Sequence, residues 1–428
     1  MLTASILALA PMLIGTPAAA APGDLDGSFG TGGTTTAFRH TSSLSIAVQS
    51  DGKVVVAGQY QNDVDHDPAF FVGRLGRDGQ VDPTFGDGGM VVTDFGGSDW
   101  ASGVAVQADG RIVAAGVTLG TGAGAVALAR YTPAGELDTT FGGDGKVVTD
   151  VTPDGLDHAT GVVATPNGKL VVSGQAGLGA APRFDADLLA VRYTATGRRD
   201  RTLGGTGVVR VDVAGRGDYA NDLTVTGRGR IVLAGQTELA GSNPGGVFSR
   251  AVVVRLTRTG TRDGTFGTGG VVRPRFGGVR ANIHQVTPMA DGRLLLAGVA
   301  EPGDVPEVRV GLLRPNGRPD LTFAGDGVSA PKLPFDLSTG TDLAPLEGGK
   351  VLVMVETPLG MALVRLRAAG GLDPSWGSGG VRLLDLDGFA PVMRVVRGDR
   401  VVAAGTRWVE TAPFRADPWT LVARVPTR

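Results

Sequence analysis

The sequence predicts an all-β protein, a seven-bladed β-propeller of four-stranded antiparallel blades, and three observations support this prediction. A pattern Asp-x-x-[Phe/Leu/Trp]-x-x-x-Gly recurs seven times at a mean spacing of about 58 residues, and periods of this size indicate repeat architectures. Each period holds four short runs rich in Val, Ile and Leu, separated by Gly, Pro, Asn or Asp, which is typical of strands and turns. Gly accounts for 70 of 428 residues, and no long stretch has a helical period with caps.

The repeated motif supplies an aspartate and a large apolar residue to every copy. The aspartates are Asp26, Asp82, Asp138, Asp200, Asp263, Asp320 and Asp373. The apolar residues three positions later are Phe29, Phe85, Phe141, Leu203, Phe266, Phe323 and Trp376. Because every copy carries both beside tight turns, we predict that the aspartate stabilises its turn or an ion pair and that the ring packs between blades. A sevenfold ring of ligand groups is the alternative.

Each copy also has an arginine at the end of its third apolar run. These arginines are Arg74, Arg130, Arg192, Arg255, Arg314, Arg365 and Arg424. The motif aspartate follows eight residues later in five copies and six residues later at Arg314. Opposite charges that flank one hairpin loop can pair directly, and the alternative is that the aspartate accepts backbone N–H groups in its own turn.

The order of runs within a copy predicts the order of strands within a blade. In the second copy the four runs are 102–107, 111–117, 125–131 and 146–150. Asp51-Gly52 and Asn167-Gly168 are two of the turns between first and second runs, where a tight hairpin needs positive φ. Seven separate small sheets could not each bury a core, so we expect radially arranged blades.

The two ends of the chain predict how the ring closes. One motif strand at 33–38 precedes the first complete copy, and the last three runs, at 392–396, 400–405 and 419–425, lack a fourth. We therefore predict that the N-terminal strand becomes the outer strand of the seventh blade. Closure of this kind removes an open sheet edge that would otherwise invite aggregation.

Three segments of the second copy resemble the bacterial delta-60 repeat family. They are DPTFGDGG at 82–89, VAVQADGRIVAAG at 104–116 and ALARY at 127–131, and all three recur in order along the chain after residue 21. Two copies depart from the pattern, with Leu203 in place of Phe and Val355 where the second strand elsewhere has Gly. The resemblance implies a propeller-like exported or surface protein. It implies no established reaction and brings no catalytic residues.

The N-terminal segment predicts export. Residues 3–21 carry no charge and end in small residues, which is typical of a secretory signal, so we assign 1–21 to a signal peptide and 22–428 to the propeller. A membrane anchor is the alternative, although the run is only marginally long enough. We expect a bacterial protein that is secreted or associated with the cell envelope, monomeric, and without an anchor after cleavage.

The composition of the chain excludes several classes of binding partner and of catalytic or metal-binding chemistry. The net charge is −2, which gives no excess to attract nucleic acid. The chain has no Cys, which excludes disulfides, thiolate metal sites and a thiol nucleophile. No catalytic residue is assigned.

Three successive copies share an aspartate followed by a ring residue in the loop that enters the first strand. These pairs are Asp99 with Trp100, Asp157 with His158, and Asp218 with Tyr219. Together they predict an acidic, aromatic-walled rim pocket for a sugar or a cation. The alternative is that the aspartate closes the turn and the ring packs between blades. A longer polar loop between second and third strands adds the candidates Arg183, Asp185 and Asp187.

A weaker candidate is a calcium loop at Asp63, Asp65 and Asp67. The spacing begins like an EF-hand loop, but Pro68 stands where Gly is required and Arg74 where the closing Glu is required. A solvated acidic loop is the alternative. No cofactor is predicted, and calcium stays a minor candidate.

The function predicted from these observations is an exported, non-enzymatic binding module that presents its rim loops to a glycan, peptide or protein partner. One alternative is a secreted glycan hydrolase or lyase that uses the rim Asp and His residues. Another is a structural surface protein without a small-molecule site. Fold alone does not choose among these functions.

Overall fold

A computed structural model of the chain confirms the predicted fold class: the 28 strands of the described residues form seven four-stranded antiparallel sheets, the blades of a β-propeller. The structure describes residues 25–61, 67–120, 122–178, 185–213, 216–239, 248–303, 305–335, 341–357, 360–384, 389–396, 400–412 and 415–427. The predicted signal peptide lies outside the described residues.

Each blade is named here with its innermost strand first. Blade 1 consists of β2 (Thr41–Val48), β3 (Val54–Tyr60), β4 (Ala69–Leu75) and β5 (Met90–Thr93). Blade 2 consists of β6 (Asp99–Val106), β7 (Ile112–Thr118), β8 (Ala125–Tyr131) and β9 (Lys146–Thr149). Blade 3 consists of β10 (Leu156–Ala164), β11 (Leu170–Leu178), β12 (Asp187–Tyr193) and β13 (Val208–Val211). Blade 4 consists of β14 (Asp218–Val225), β15 (Ile231–Leu239), β16 (Phe248–Leu256) and β17 (Val271–Val272).

The remaining three blades follow the same order. Blade 5 consists of β18 (Arg280–Pro288), β19 (Leu294–Glu301), β20 (Glu307–Leu313) and β21 (Val328–Ser329). Blade 6 consists of β22 (Thr341–Pro345), β23 (Val351–Thr357), β24 (Gly360–Leu366) and β25 (Val381–Leu384). Blade 7 consists of β26 (Phe389–Val396), β27 (Arg400–Ala412), β28 (Arg415–Pro426) and β1 (Thr34–Arg39).

Helical structure is almost absent from the described ranges. Their one helical element is a single 3₁₀ turn, Glu347–Gly349, between β22 and β23. A helix long and apolar enough to cross a membrane does not occur among the residues that the structure describes.

The ring closes as the sequence predicts. Strand β1 pairs antiparallel with β28, with Thr34 opposite Ala423, and thereby completes blade 7. The innermost strands contact one another from blade to blade, and β26 contacts β2 at the closure. The β27–β28 hairpin is longer than predicted, because the two strands stay paired beyond Thr406 and Thr420.

The hydrophobic core lies between adjacent blades. Phe141 from blade 2, for example, is fully buried in one cluster with Val113 of its own blade and Val172 and Leu189 of blade 3. The motif residue at this position is at most 2% exposed in all seven copies. This burial matches the packing between blades predicted for the repeated rings.

A glycine in the second strand lets the innermost strand bulge. The register of β10 shifts between Ala159 and Gly161, and Ala159 lies opposite Gly174. A Cβ on Gly174 would lie 1.8 Å from the backbone oxygen of His158. The same arrangement recurs in blades 1, 2, 4 and 5. In blade 6 Val355 takes the glycine position, and the described part of β22 pairs with β23 without a bulge.

Candidate functional site

The repeated arginine and aspartate form a buried ion pair in six blades. The Arg Nε and an Asp carboxylate oxygen are 2.7–2.9 Å apart in the pairs Arg74–Asp82, Arg130–Asp138, Arg192–Asp200, Arg255–Asp263, Arg365–Asp373 and Arg424–Asp26. A second, more exposed cation reaches each of these carboxylates, namely Lys53, Arg111, Lys169, Arg230, Lys350 and Arg400.

The same arginines link neighbouring blades. Arg74 Nη1 donates to the backbone oxygen of Pro133 in blade 2, and five further arginines make the equivalent bond. The guanidinium of Arg74 also lies 4.6 Å from the ring centroid of Phe85, a cation–π contact. These contacts link adjacent blades. The arginine and aspartate side chains bond to each other and to the backbone of the next blade.

Blade 5 departs from the predicted pairing. Strand β20 ends at Leu313, so Leu312 occupies the arginine position and Arg314 lies past the end of the strand. The Arg314 side chain is 47% exposed, and its Nε is 3.7 Å from Asp320. Arg293 supplies the closer contact to Asp320, at 3.1 Å. The six-residue spacing at Arg314 was the sign of this shift.

The three rim aspartates are buried at the start of their innermost strands. Asp99, Asp157 and Asp218 are each 0% exposed. Their Oδ2 atoms accept backbone N–H groups of the loop before the strand, from Phe95, Val151 and Thr152, and Val213 respectively, at 2.6–2.8 Å. This geometry is the turn-closing alternative of the sequence analysis, and it presents none of these carboxylates to solvent.

The ring residues that follow these aspartates are half-buried on adjacent innermost strands. The Trp100 and His158 rings meet edge to face with centroids 5.9 Å apart. His158 Nε2 is 3.0 Å from Ser102 Oγ, and Nδ1 is 3.3 Å from Gln175 Nε2. Burial lowers the pKa of His158 to about 4, and burial together with Glu238 raises the pKa of Tyr219 to about 12. The His158 and Tyr219 side chains are therefore uncharged at neutral pH.

The other loop candidates are dispersed. Arg183, Asp63 and Asp65 lie outside the described residues. Asp185 is exposed, and Asp67 accepts a bond from Ser98 Oγ at 3.0 Å. Asp187 pairs with Arg210 at 2.7 Å. Carboxylate oxygens of Asp187, Asp218 and Asp212, a residue absent from the predictions, lie within 4.8 Å of one another. Calcium binding stays a prediction.

A cavity of about 400 Å³ lies on the propeller axis, lined by the innermost strands of all seven blades. Its polar lining residues, among them Asp222, Gln285 and Arg394, are not among the site residues predicted from the sequence. At one equivalent position of the innermost strands, the seven blades carry Ser45, Gly103, Gly161, Asp222, Gln285, Asp342 and Val392. Aligning the copies on their second strands would have revealed this variable position.

Side chains at this position bond to the innermost strand of the next blade. Ser45 Oγ accepts from Val104 N at 3.1 Å, and Asp222 Oδ2 accepts from Val286 N at 2.8 Å. Gln285 and Asp342 accept in the same way from the backbone N–H groups of Leu343 and Met393. Blade 2 has no side chain there, since a Cβ on Gly103 would lie 2.9 Å from the Cα of Gly161. The polar side chains therefore concentrate on blades 4 to 6.

The described residues that line the cavity include one carboxylate, Asp222, and Asp342 lies next to Leu343 of the lining. Of the described residues that line it, Arg394 is the only cation, and its Nη1 lies 3.1 Å from Asp342 Oδ2. Burial raises the pKa of Asp222 to about 7, and burial also raises the pKa of Asp342 despite the charge of Arg394. Perturbed carboxyl groups in a cavity are a common feature of functional sites.

The raised pKa of Asp222 predicts a pH-dependent effect of Asp222→Asn. Between pH 4 and pH 7 the folded protein retains a proton that the unfolded chain releases, so wild-type stability falls as pH rises through this window. Asn keeps an oxygen for Val286 N and carries no charge. We expect the variant to exceed wild type by about 2 kcal/mol at pH 8 and to match it at pH 4. Urea unfolding at both pH values measures this, and a pH-independent difference would contradict it.

The comparisons with known proteins agree with the fold. Residues 49–85 and 107–141 match a family described as "Domain of unknown function (DUF5122) beta-propeller". The repeats are thus similar to a propeller-repeat family. No curated protein matches the sequence.

The solved structures that match this chain are distant in sequence. Sqt1 from Chaetomium thermophilum is 13% identical, with 91% of this chain and 96% of that chain covered and a TM-score of 0.41. Prolyl oligopeptidase B from Galerina marginata is 11% identical, with 92% and 49% covered and a TM-score of 0.46. An acylaminoacyl peptidase from Pyrococcus horikoshii is 11% identical, with 86% and 50% covered and a TM-score of 0.43. This chain spans about half the length of the two peptidases, and none of these similarities bears on function.

Proposed function

We propose that the protein is an exported binding module of the bacterial cell envelope or exterior. Its partner, a glycan, peptide or protein, binds on the face of the ring where the innermost strands begin, which we call the axial face and define by Trp100, His158 and Tyr219. We also propose that its repeats belong to the delta-60 family. Export rests on the signal-like residues 1–21.

One observation carries the choice of this face. In six blades the recurring Arg and Asp pair with each other beneath the surface, and the recurring large apolar residue is buried in all seven, whereas the residues of the axial face differ between blades. Trp100 and His158 place two uncharged rings edge to face there, and both are half-buried. Aromatic surfaces with a nearby polar atom are enriched at binding interfaces. The axial face therefore presents side chains that differ from blade to blade on a rigid framework of strands, as a recognition surface requires.

The geometry favours binding over the hydrolase or lyase alternative. That alternative needs carboxylates that reach a substrate, and paired carboxylates about 5–10 Å apart serve glycoside hydrolysis. Asp99 and Asp157 are fully buried and accept backbone N–H groups. We therefore propose that the rings of Trp100 and His158, rather than the buried aspartates, contact the partner.

Truncating Trp100 tests this function. Residues 22–428 are immobilised and titrated with cell-wall polysaccharide fragments and with peptides released from native cell surfaces. We expect Trp100→Ala to weaken binding about tenfold or more, because central aromatic residues dominate binding energy. The matched control is Leu321→Ala, which removes an apolar side chain that is 59% exposed at the opposite end of the ring.

Two results would contradict the proposal. Equal binding by Trp100→Ala and wild type, with both folded by circular dichroism, would exclude the axial face as the site. Absence of binding to either class of probe would favour the structural surface protein instead.

A further inference from the structure

We propose that the axial cavity binds an organic cation, a primary ammonium or guanidinium group, with Asp222 as its counter-ion. This inference rests on the proposed function, because the innermost strands that begin at the axial face also line the cavity, which would hold part of the same partner. Along β14, Tyr219 and Asp222 are three residues apart, which corresponds to about 10 Å.

The charges of the cavity are the first argument. Asp342 has its own partners, because its oxygens accept from the backbone of Leu343 and Met393 and from Arg394. Asp222 accepts from Val286 N and from the backbone of Leu223. Among the described residues no cationic side chain lies within ion-pair distance of it, and Arg394 acts on its pKa only through its charge. One carboxylate of the cavity is therefore left for an external cation, and burial has already raised its pKa to about 7. A buried charge without a partner is unfavourable, so a cation that supplies one is bound selectively.

The shape of the cavity is the second argument. Its walls combine polar groups with apolar side chains, among them Val104, Leu223 and Val286. A volume of about 400 Å³ lies at the small end of the range for ligand sites. An alkyl stem that ends in a cationic group fits this cavity, because the stem can pack on the apolar side chains while the charged group contacts the Asp222 carboxylate.

The hydrogen-bonding pattern distinguishes an organic cation from a metal ion. Calcium takes six to eight oxygen ligands, and magnesium requires an octahedral set. The side-chain oxygens of Gln285, which lines the cavity, and of Asp342 beside it already accept backbone N–H groups. Asp222 alone offers a carboxylate oxygen that one ammonium or guanidinium group can use, since such a group needs only one or two acceptors.

Calorimetric titration of residues 22–428 tests the inference with two forms of the same chemistry. The first probe is n-butylammonium, a free amine. The second is a blocked pentapeptide with one central arginine, and its control replaces that arginine with neutral, isosteric citrulline. Binding of both cations indicates a site for the charged group itself, and binding of the peptide alone indicates a polypeptide side chain as the source. We expect the arginine peptide to bind about tenfold or more tightly than the citrulline peptide at pH 8.

Two further measurements tie the binding to Asp222. Asp222→Asn is expected to lose about tenfold or more in affinity, whereas Asp51→Asn, the same charge change in a hairpin turn of blade 1, is expected to keep wild-type affinity. Lowering the pH from 8 to 5.5 is expected to weaken wild-type binding about tenfold, because Asp222 becomes protonated. The pH series and the citrulline control need no variant, so they remain decisive if Asp222→Asn fails to fold.

The outcomes separate this inference from the proposed function. Equal binding of arginine and citrulline peptides, or binding that is independent of pH and of Asp222→Asn, overturns the cation site. If Trp100→Ala nevertheless abolishes binding of cell-surface partners, the binding module stands without it. If both variants bind those partners like wild type, both proposals fall.

Discussion

Replacing Asp82 with alanine is expected to lower the free energy of unfolding by about 4 kcal/mol, because it leaves a buried guanidinium without its counter-charge. The Arg74 side chain is only 5% exposed, and its Nε donates to Asp82 Oδ2 at 2.8 Å. The same carboxylate accepts the backbone N–H of Thr84 at 3.1 Å, so the variant also loses a turn-stabilising bond. Urea unfolding at pH 7 measures the loss.

The pH dependence of this effect follows from the lowered pKa of Asp82. Burial alone would raise that pKa, but hydrogen bonds from Lys53 and Thr84 and the charge of Arg74 hold it far below the usual range. A carboxylate of this kind stabilises the fold above the ordinary aspartate pKa of about 4, and the stabilisation is lost as the pH falls below that value. The difference between wild type and Asp82→Ala should therefore be largest above pH 5 and should shrink towards pH 2.

Blade 5 supplies the matched control. Asp320 occupies the position of Asp82, but Leu312 stands where the buried arginine is found in other blades. Its cationic partners, Arg293 and Arg314, are 29% and 47% exposed and can be solvated when the carboxylate is removed. We expect Asp320→Ala to lower stability by about 1 kcal/mol. Equal losses for the two variants would show that the turn, and not the buried charge, determines the effect.

Introducing a methyl group at Gly174 is expected to destabilise the protein by about 3 kcal/mol or more, because backbone fills the space that a Cβ would need. That Cβ would lie 1.8 Å from the oxygen of His158 and 3.0 Å from the Cα of Ala159. Relief of the clash requires β10 to move away from β11 at its bulge, which would break the ladder between Ala159 and Gly174. Thermal unfolding of Gly174→Ala, followed by near-ultraviolet circular dichroism, measures the change.

Gly227→Ala is the control for this substitution. Gly227 lies in the β14–β15 turn, and no atom lies within 4 Å of the place that its Cβ would take. Gly227 itself does not adopt a positive φ, so alanine is not strained at this position. We expect a change within about 0.5 kcal/mol for Gly227→Ala. A Gly174→Ala protein as stable as this control would show that the innermost strand shifts without cost.

Much of the fold could be predicted because its signals are local. The Asp-x-x-Phe pattern and the Asp-Gly turns mark each hairpin within a few residues of sequence. The division of blade 7 between the two chain ends followed from counting runs, and the pairing of Thr34 with Ala423 confirms it. The roles of single residues were harder to predict. In blade 5 the spacing from arginine to aspartate is two residues shorter than in the other copies, and Arg314 therefore lies past the end of β20 and does not form the buried pair.

The candidate site was predicted less completely, and side-chain direction is the reason. Successive residues of a strand point to opposite faces, and a bulge reverses that alternation. The sequence singled out Asp99 together with Trp100, but only the register of β6 shows that the aspartate is buried while the ring remains partly exposed. The residues of the axial cavity gave no motif at all, because each belongs to a different blade.

The sequence by itself determined the number of blades, the order of strands within them and the closure of the ring, because periodic turns and apolar runs act over a few residues. The tertiary structure alone decided which side chains meet on the axis. Asp222 and Arg394 are 172 positions apart in the chain, yet both line one cavity, and Asp342 pairs with Arg394 beside it. Their proximity, and the raised pKa of Asp222 that burial produces, depend on the packing of seven blades around a common axis, which no single repeat encodes.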